Sequence, residues 1–227
     1  MRKAISLYFL AALALAAPAW AGEVEEDSTL PSTEARVPNY IGSVGLITAP
    51  SAYTIGDRTA SGYISGNADF FGGGVVVGIT DRFEIGIGVL DLDDDLGGDT
   101  EFLLNLKANL LQEKNNWPAF SVGVVDVADS LDADPGWYVM ASKYFTRNQT
   151  DQKFALKGHL GFGGGFFDEE IIAGAELFFK PNVTVMAELV ADEVNIGARL
   201  HWKAFTASLA WFDFDNLGGQ LSYNVRF

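Results

Sequence analysis

The chain has 227 residues, with 15 Lys and Arg against 30 Asp and Glu, a formal net charge of −15, and no Cys. Without Cys there is no disulfide framework, no thiol chemistry and no thiolate-held metal. The acidity argues against nucleic acid, whose phosphates it would repel.

The first 21 residues read as an export signal. Arg2 and Lys3 form a basic start, Ile5 to Ala17 an apolar run, and Ala17-Pro18-Ala19-Trp20-Ala21 a small-residue cleavage site. The run is too short for a bilayer-spanning helix, and every later apolar stretch is broken by Gly, Asp, Lys or Asn. Cleavage removes two bases and no acids, leaving a net charge of −17 on about one domain's length. A soluble periplasmic protein and a barrel remain.

Residues 22–57 form a second segment. Its first part is acidic and polar (Glu23, Glu25, Glu26, Asp27, Glu34) and reads as disordered or periplasmic. Then comes Val37-Pro38-Asn39-Tyr40-Ile41-Gly42-Ser43-Val44-Gly45-Leu46-Ile47-Thr48-Ala49-Pro50-Ser51-Ala52, followed by Gly56 and Gly62-Tyr63. This stretch resembles the opening of YjbH-like outer-membrane proteins, in which a Gly-Leu-Ile/Leu-x-x-Pro-Ser/Thr-Ala segment precedes the first barrel strand. The resemblance implies a barrel fold and an association with exopolysaccharide production. An apolar segment punctuated by Gly and Pro either threads into the lumen as a plug or lies along the periplasmic rim.

From residue 58 to 227 the apolar residues alternate with period two, which places them on one face of a sheet. Val183, Val185, Ala187 and Leu189 interleave with Thr184, Met186, Glu188 and Val190; Leu221, Tyr223, Val225 and Phe227 interleave with Ser222, Asn224 and Arg226. Aromatics cluster at strand ends. One girdle is expected from Phe83, Trp117, Tyr144, Phe145, Phe178, Phe179, Trp202, Phe205 and Phe227. The other is expected from Trp137, Phe166, Phe167, Trp211 and Phe212. The pattern predicts an all-β transmembrane antiparallel barrel of about twelve strands, with ten or fourteen as the neighbouring counts. The strands fall at about 58–68, 72–80, 83–92, 101–112, 117–127, 136–146, 152–163, 170–180, 183–191, 193–203, 204–213 and 217–227. A soluble sandwich with an aromatic core is the competing reading.

Charge sorts by loop parity. Alternate loops after the first strand hold eighteen acids and no Lys or Arg, whereas the other turns hold six bases and three acids. The acidic loops are mostly the longer ones and oppose the termini, so they are expected outside. The terminal strand, with Tyr223, Val225 and Phe227, resembles the β-signal read by the barrel-assembly machinery, with Ser222 where Gly is usual.

The inward face is expected to carry Glu84, Asn105, Lys107, Asn109, Lys143, Lys157, His159, Glu176, Glu188, Asn195, Arg199, His201, Asn224 and Arg226. These line either a narrow pore or a filled lumen of paired groups, since a barrel of this size falls between the two cases. In the loop 91–101, Asp91, Asp93, Asp95, Asp99 and Glu101 suit a weak calcium or magnesium site. Its Gly falls one place late for an EF-hand and its final Glu one place early, so a solvated acidic rim is the leading reading; no other cofactor is expected. Gly72-Gly73-Gly74 and Gly163-Gly164-Gly165 read as hairpin tips rather than phosphate cradles, because no helix follows. The leading function is a non-enzymatic outer-membrane barrel, either a small passive channel or an envelope or exopolysaccharide export accessory. Its expected partners are outer-membrane lipid, the assembly machinery, and a polysaccharide or small solute. A lipid- or surface-modifying hydrolase using His159 or His201 is the alternative.

Overall fold

A computed structural model describes residues 36–92, 100–114, 116–130, 134–145, 154–179 and 182–227. The expected signal segment and most of the acidic segment after it lie outside the described residues, as do Asp93, Asp95 and Asp99.

Twelve antiparallel strands close into a barrel. They are β1 (Thr59–Gly66), β2 (Phe70–Thr80), β3 (Phe83–Leu92), β4 (Thr100–Leu111), β5 (Ala119–Val125), β6 (Gly136–Tyr144), β7 (Phe154–Gly164), β8 (Ile171–Phe179), β9 (Val183–Val190), β10 (Glu193–Trp202), β11 (Phe205–Phe212) and β12 (Asn216–Arg226). Each pairs with its chain neighbours, and β1 closes on β12 from Thr59↔Arg226 to Gly66↔Gly219. Closure leaves no unpaired edge, which is what a sheet in hydrocarbon requires.

The period-two pattern explains the two faces. On β9, Val183, Val185, Ala187 and Leu189 are exposed, whereas Thr184, Met186, Glu188 and Val190 are buried. The same alternation exposes Phe71, Leu160, Leu200, Leu209, Leu217 and Leu221 around the exterior. An apolar belt of that extent has no place on a protein surrounded by water, and it fits lipid. The hairpin between β9 and β10 is a two-residue turn, Ala191-Asp192, with φ of 48° and 66°. Two positive φ values in succession give a type I′ turn, whose twist matches that of the flanking strands.

Three sequence expectations change. Gly72–Gly74 lie inside β2 and Gly163-Gly164 inside β7, not at hairpin tips. A Cβ on Gly74 would stand 2.3 Å from Ile87 O, so bare backbone is needed at this tight strand contact. Tyr144, Phe167 and Phe212 are buried in the lumen rather than part of an outer girdle. Their strand-end position suggested the girdle, but Tyr144 and Phe212 share the parity of inward residues. Trp117, Phe145, Phe179, Trp202, Phe205 and Phe227 do stand exposed towards the end that carries the termini, with Trp137 and Trp211 exposed towards the other.

The core is the N-terminal segment itself. Residues 37–52 are almost all buried, with Leu46, Ile47, Ala49 and Ala52 fully enclosed. The segment folds on itself: Asn39 N–H donates to Ser43 O (2.7 Å), Tyr40 N–H to Ile47 O (2.8 Å) and Ser51 N–H to Val44 O (3.0 Å). Gly42 supplies the positive φ (83°) that its turn demands. Both ends of the segment reach the mouth where the barrel's termini meet. Asn224 donates to Arg36 O (3.4 Å), and Asp57 N–H donates to Asp81 in the β2–β3 turn (3.0 Å). Residues 36–57 therefore plug the barrel.

Plug and wall approach closely where the wall lacks side chains. A Cβ on Gly86 would stand 2.0 Å from Gly42 O, and one on Gly78 would stand 1.8 Å from Gly56 O. A Gly86→Leu variant is expected to form a heat-modifiable barrel with the plug displaced, because the added side chain meets plug backbone and leaves the ladder intact. Limited proteolysis checks this: cleavage between residues 36 and 57 should appear in the variant and be absent from the parent.

Candidate functional site

The inward ionic residues hold the plug by its main chain. Glu188 on β9 accepts N–H bonds from Ile47 (2.8 Å), Thr48 (2.7 Å) and Ala49 (3.1 Å), with the Thr48 hydroxyl at 2.7 Å and the Asn195 amide at 3.1 Å. One carboxylate thus satisfies three successive backbone donors. Glu84 on β3 accepts from Val44 N–H (2.9 Å), Ile55 N–H (2.8 Å) and the Ser43 hydroxyl (3.0 Å). It also pairs with Lys107 on β4 at 2.9 Å, with both side chains essentially sealed from solvent.

The cations take the plug's carbonyls. Lys107 donates to Val44 O and to Tyr53 O (3.1 Å), and Arg199 donates to Gly45 O (2.9 Å) and Leu46 O. Asn105 donates to Ile41 O and Gly42 O, and Asn109 to Ala52 O. Ser65 donates to Tyr40 O (2.9 Å), and Gln220 to Asn39 O (2.9 Å). Buried backbone groups need such partners, and acceptors and donors that are themselves charged make the stronger bonds.

Glu176 on β8 centres a second cluster. Lys157 lies 3.1 Å away, His159 Nε2 3.0 Å and Arg199 3.7 Å. Lys157 also sits over the rings of Tyr53, Tyr144 and Phe178 at 4.8–4.9 Å, a box in which Tyr53 belongs to the plug. His159 Nδ1 lies 2.8 Å from Ser142 Oγ, completing a Ser–His–Glu line across β6, β7 and β8. Ser142 Oγ accepts from Ala52 N–H at 2.9 Å, so plug backbone occupies its open side. Chemically the line can relay a proton or activate a hydroxyl; where it stands, it anchors the plug. Tyr53 donates to Glu113, which also accepts from Tyr144 N–H (3.0 Å). Burial pushes the Tyr40 hydroxyl above the usual phenol range, so it stays neutral beside Arg199 and Glu188.

Other predicted site residues distribute as follows. Asn195 is fully buried and accepts from Asp213 N–H (3.0 Å). His201 is half-buried between Thr184 and Thr206, each at 3.1 Å. Arg226 has inward parity but stands exposed at the mouth. Lys143 is a correction: buried Tyr138, Met140, Ser142 and Tyr144 hold the even, inward positions of β6, so Lys143 faces outward with Trp137 and Val139. It lies one residue from the strand's end, where a long cation reaches the interface while its stem covers apolar surface. Asp91 is exposed and accepts from the Thr100 hydroxyl (3.0 Å), with Glu101 half-buried beyond it. Among the described residues no group of three or more potential ligands could hold a metal. Tyr223 and Val225 face outward on β12, and Phe227, just past its end, is exposed. The plug residues themselves, Ser142 and Glu113 were missed as site residues. For Ser142 a signal existed, since it alternates with the apolar Trp137, Val139 and Ala141 along β6 and so lies on the opposite, inward face.

At the acidic-loop mouth a cavity of about 490 Å³ lies over the plug, floored by Ile41 and Thr48 and walled by Phe70 and Phe212. Asp69, Glu193, Asp213 and Asp215 line it. Among the described residues, the lumen below sets three acidic side chains (Glu84, Glu176, Glu188) beside three basic ones (Lys107, Lys157, Arg199).

No family model matches the chain, and no curated protein matches it. Among solved structures it is similar to "KdgM porin in complex with disordered oligogalacturonate", with TM-score 0.50 and 8% identity over 74% of this chain and 99% of that one. A second, "KdgM porin", gives TM-score 0.47 and 9% identity over the same shares. A Rhodopseudomonas blastica porin mutant gives TM-score 0.32 and 11% identity over 70% of this chain and 56% of that one. At 8% identity the first of these is a likeness of fold alone.

Replacing Glu188 by Ala leaves three plug N–H groups, the Thr48 hydroxyl and the Asn195 amide short of an acceptor, and removes a nearby negative charge from Arg199. Removing one partner of a buried charged set typically costs about 3–5 kcal/mol. Glu188→Ala is therefore expected to lower the unfolding midpoint in detergent, and Glu188→Gln to do so less. Replacing Glu84 and Lys107 together by Gln and Met is expected to cost less than Glu84→Ala alone, because no unpaired charge remains.

Proposed function

We propose that this protein is a non-enzymatic outer-membrane channel held shut by its own residues 36–57, released when the plug yields to a solute or partner. The observation that carries this reading is the set of bonds from Glu84, Lys107, Glu188 and Arg199 to the plug backbone. Leu46 and Ile47 of the plug share a core with wall residues such as Met140, Ile172 and Met186, and the charged wall groups add bonds to the plug's main chain that water can replace. Most of the residues that resemble the YjbH-like opening, Val37 to Ala52, are the plug. The finer reading is accordingly an export accessory of envelope or exopolysaccharide traffic, with the plug as its recognisable part. The acidic loops face outside, lipid surrounds the belt, and β12 with Tyr223, Val225 and Phe227 engages the assembly machinery.

A hydrolase is the second reading, favoured by the Ser142–His159–Glu176 line. Against it, Ala52 N–H occupies the serine oxygen and the site opens to neither lipid nor solvent. Lipid or ester turnover that disappears in Ser142→Ala would establish the hydrolase.

Planar-bilayer recording tests the channel. The parent should be nearly silent, and the chain lacking residues 36–57 should conduct. Silence in that deletion, with the barrel folded, removes the channel reading. Because the protein has no Cys, single substitutions also test the orientation. Asp215→Cys should be labelled on intact cells and Arg82→Cys should not.

A further inference from the structure

The cavity of about 490 Å³ at the acidic-loop mouth is largely apolar inside and acidic at its rim. Leu90, Leu103 and Val125 line its wall together with the rings of Phe70, Phe166 and Phe212. Ile41 and Thr48 of the seated plug form its floor. A space of this size, mostly apolar with a few placed polar groups, has the make-up of a site for a small organic molecule. Its rings are held in place by their neighbours. Phe212 is met edge-on by Tyr40 of the plug at 5.2 Å and by Phe70 at 6.3 Å. Phe166 meets Phe167 edge-on at 5.3 Å, and Phe167 in turn meets Tyr138 at 5.8 Å. Rings fixed in this way lose little freedom when a ligand arrives.

The ionic groups of the lining are all of one sign. Asp69, Glu193, Asp213 and Asp215 belong to it, and among the described residues no Lys or Arg does. Asp69 is half-buried and accepts from the Asn216 amide at 2.6 Å; the other three stand exposed. The surrounding loops supply no counter-charge, because the acidic loops contain neither Lys nor Arg. Within the lumen, Lys107 and Arg199 are committed to carbonyls of the plug. The charge that complements this rim therefore comes from outside the chain.

A bare metal ion fits the cavity poorly. Its four carboxylates come from three hairpins, β1–β2, β9–β10 and β11–β12, and among the described residues no group of three or more could hold a metal. Hard ions also demand oxygen ligands in number, which an aliphatic and aromatic lining cannot give. Aromatic faces attract organic cations instead.

We propose that this cavity binds a small organic ammonium ion with an apolar body, its charge at the carboxylate rim and its body against the rings and the plug. The site needs the plug seated and does not need the barrel to conduct, so it stands or falls apart from the channel reading. Because Ile41 and Thr48 are its floor, the ligand binds the plugged barrel better than one whose plug has left. By linkage, an occupant of this mouth stabilises the closed state.

The probe is benzyltrimethylammonium, titrated calorimetrically into the full chain in maltoside micelles. It should bind, more weakly as sodium chloride is raised, whereas benzyl alcohol and benzoate should not bind. Phe70→Leu keeps apolar bulk but removes a ring, and should weaken binding roughly fivefold. Asp69→Asn should weaken it by a similar factor. Asp192→Asn, at the same mouth but outside the cavity and at a positive φ that Asn accepts, should leave it unchanged. Saturating probe should raise the unfolding midpoint of the parent, and the chain lacking residues 36–57 should lose binding. No binding by the parent, equal binding of benzyl alcohol, or equal losses in Asp192→Asn and Asp69→Asn overturns the site. Displacement of the probe by an equal concentration of magnesium or of tetralysine also overturns it, in favour of a metal or a basic protein partner. Undiminished binding by the plug deletion overturns the coupling to the plug. Conductance of that deletion tests the channel reading separately, so either conclusion can fail alone.

Discussion

Every main-chain N–H and C=O that enters the barrel must find a partner there, and this requirement organises the lumen. A strand of the wall satisfies its backbone through its neighbours; the plug belongs to no ladder. Its turns satisfy part of its own demand, as between Asn39 and Ser43. The rest falls to side chains of the wall. That explains why the inward face carries carboxylates beside cations. Glu188 serves a run of donors, Arg199 serves the carbonyls just before them, and Glu84 with Lys107 does the same further along. Glycines at 78 and 86 then matter because backbone can be read only at close range.

The same requirement decides between the two ways of filling a twelve-stranded lumen. A purely apolar filling would have left inward Glu and Lys without partners, at heavy cost. An open pore would have left them to water. A plug of small and apolar residues with an accessible main chain meets both ends of the problem. Leu46, Ile47, Ala49 and Ala52 join a core with wall residues such as Met140, Ile172 and Met186, while the plug's main chain bonds to the charged wall groups. Charge neutrality within the lumen keeps the strongly acidic balance of the chain out of the interior and at the loop end.

Much of this architecture was legible in the sequence because period two leaves little freedom. Strand number, antiparallel order and inward placement of Glu84, Lys107, Glu176, Glu188 and Arg199 all follow from parity once turns are located. Where parity was set aside for composition, the reading failed. Phe212 was assigned to a girdle because aromatics gather at strand ends, and Lys143 to the lumen because it is charged, yet each lies on the face its number dictates. Gly72–Gly74 looked like a turn because glycine breaks strands, although in a barrel it also permits close packing between them. The plug was one of two alternatives. Nothing in the run from Val37 to Ala52 states which partners it will meet, because those contacts join residues up to 181 positions apart. The Ser142–His159–Glu176 line was invisible for the same reason. Its members come from three strands and form no motif.

Both ends of the plug lie at one mouth, Arg36 by Asn224 and Asp57 by the β2–β3 turn, and the segment runs directly into β1. The segment enters as a loop and could leave as one, without threading the chain or breaking a single inter-strand bond. Its withdrawal is therefore one-directional, toward the termini. The plug remains tethered by almost no linker, and short tethers hold a ligand at millimolar effective concentration. Reseating is thus an intramolecular event, and a free peptide copying residues 36–57 would have to approach that concentration to compete. Whatever opens this barrel for longer than a moment must capture the withdrawn loop on the termini side, or occupy the lumen in its stead.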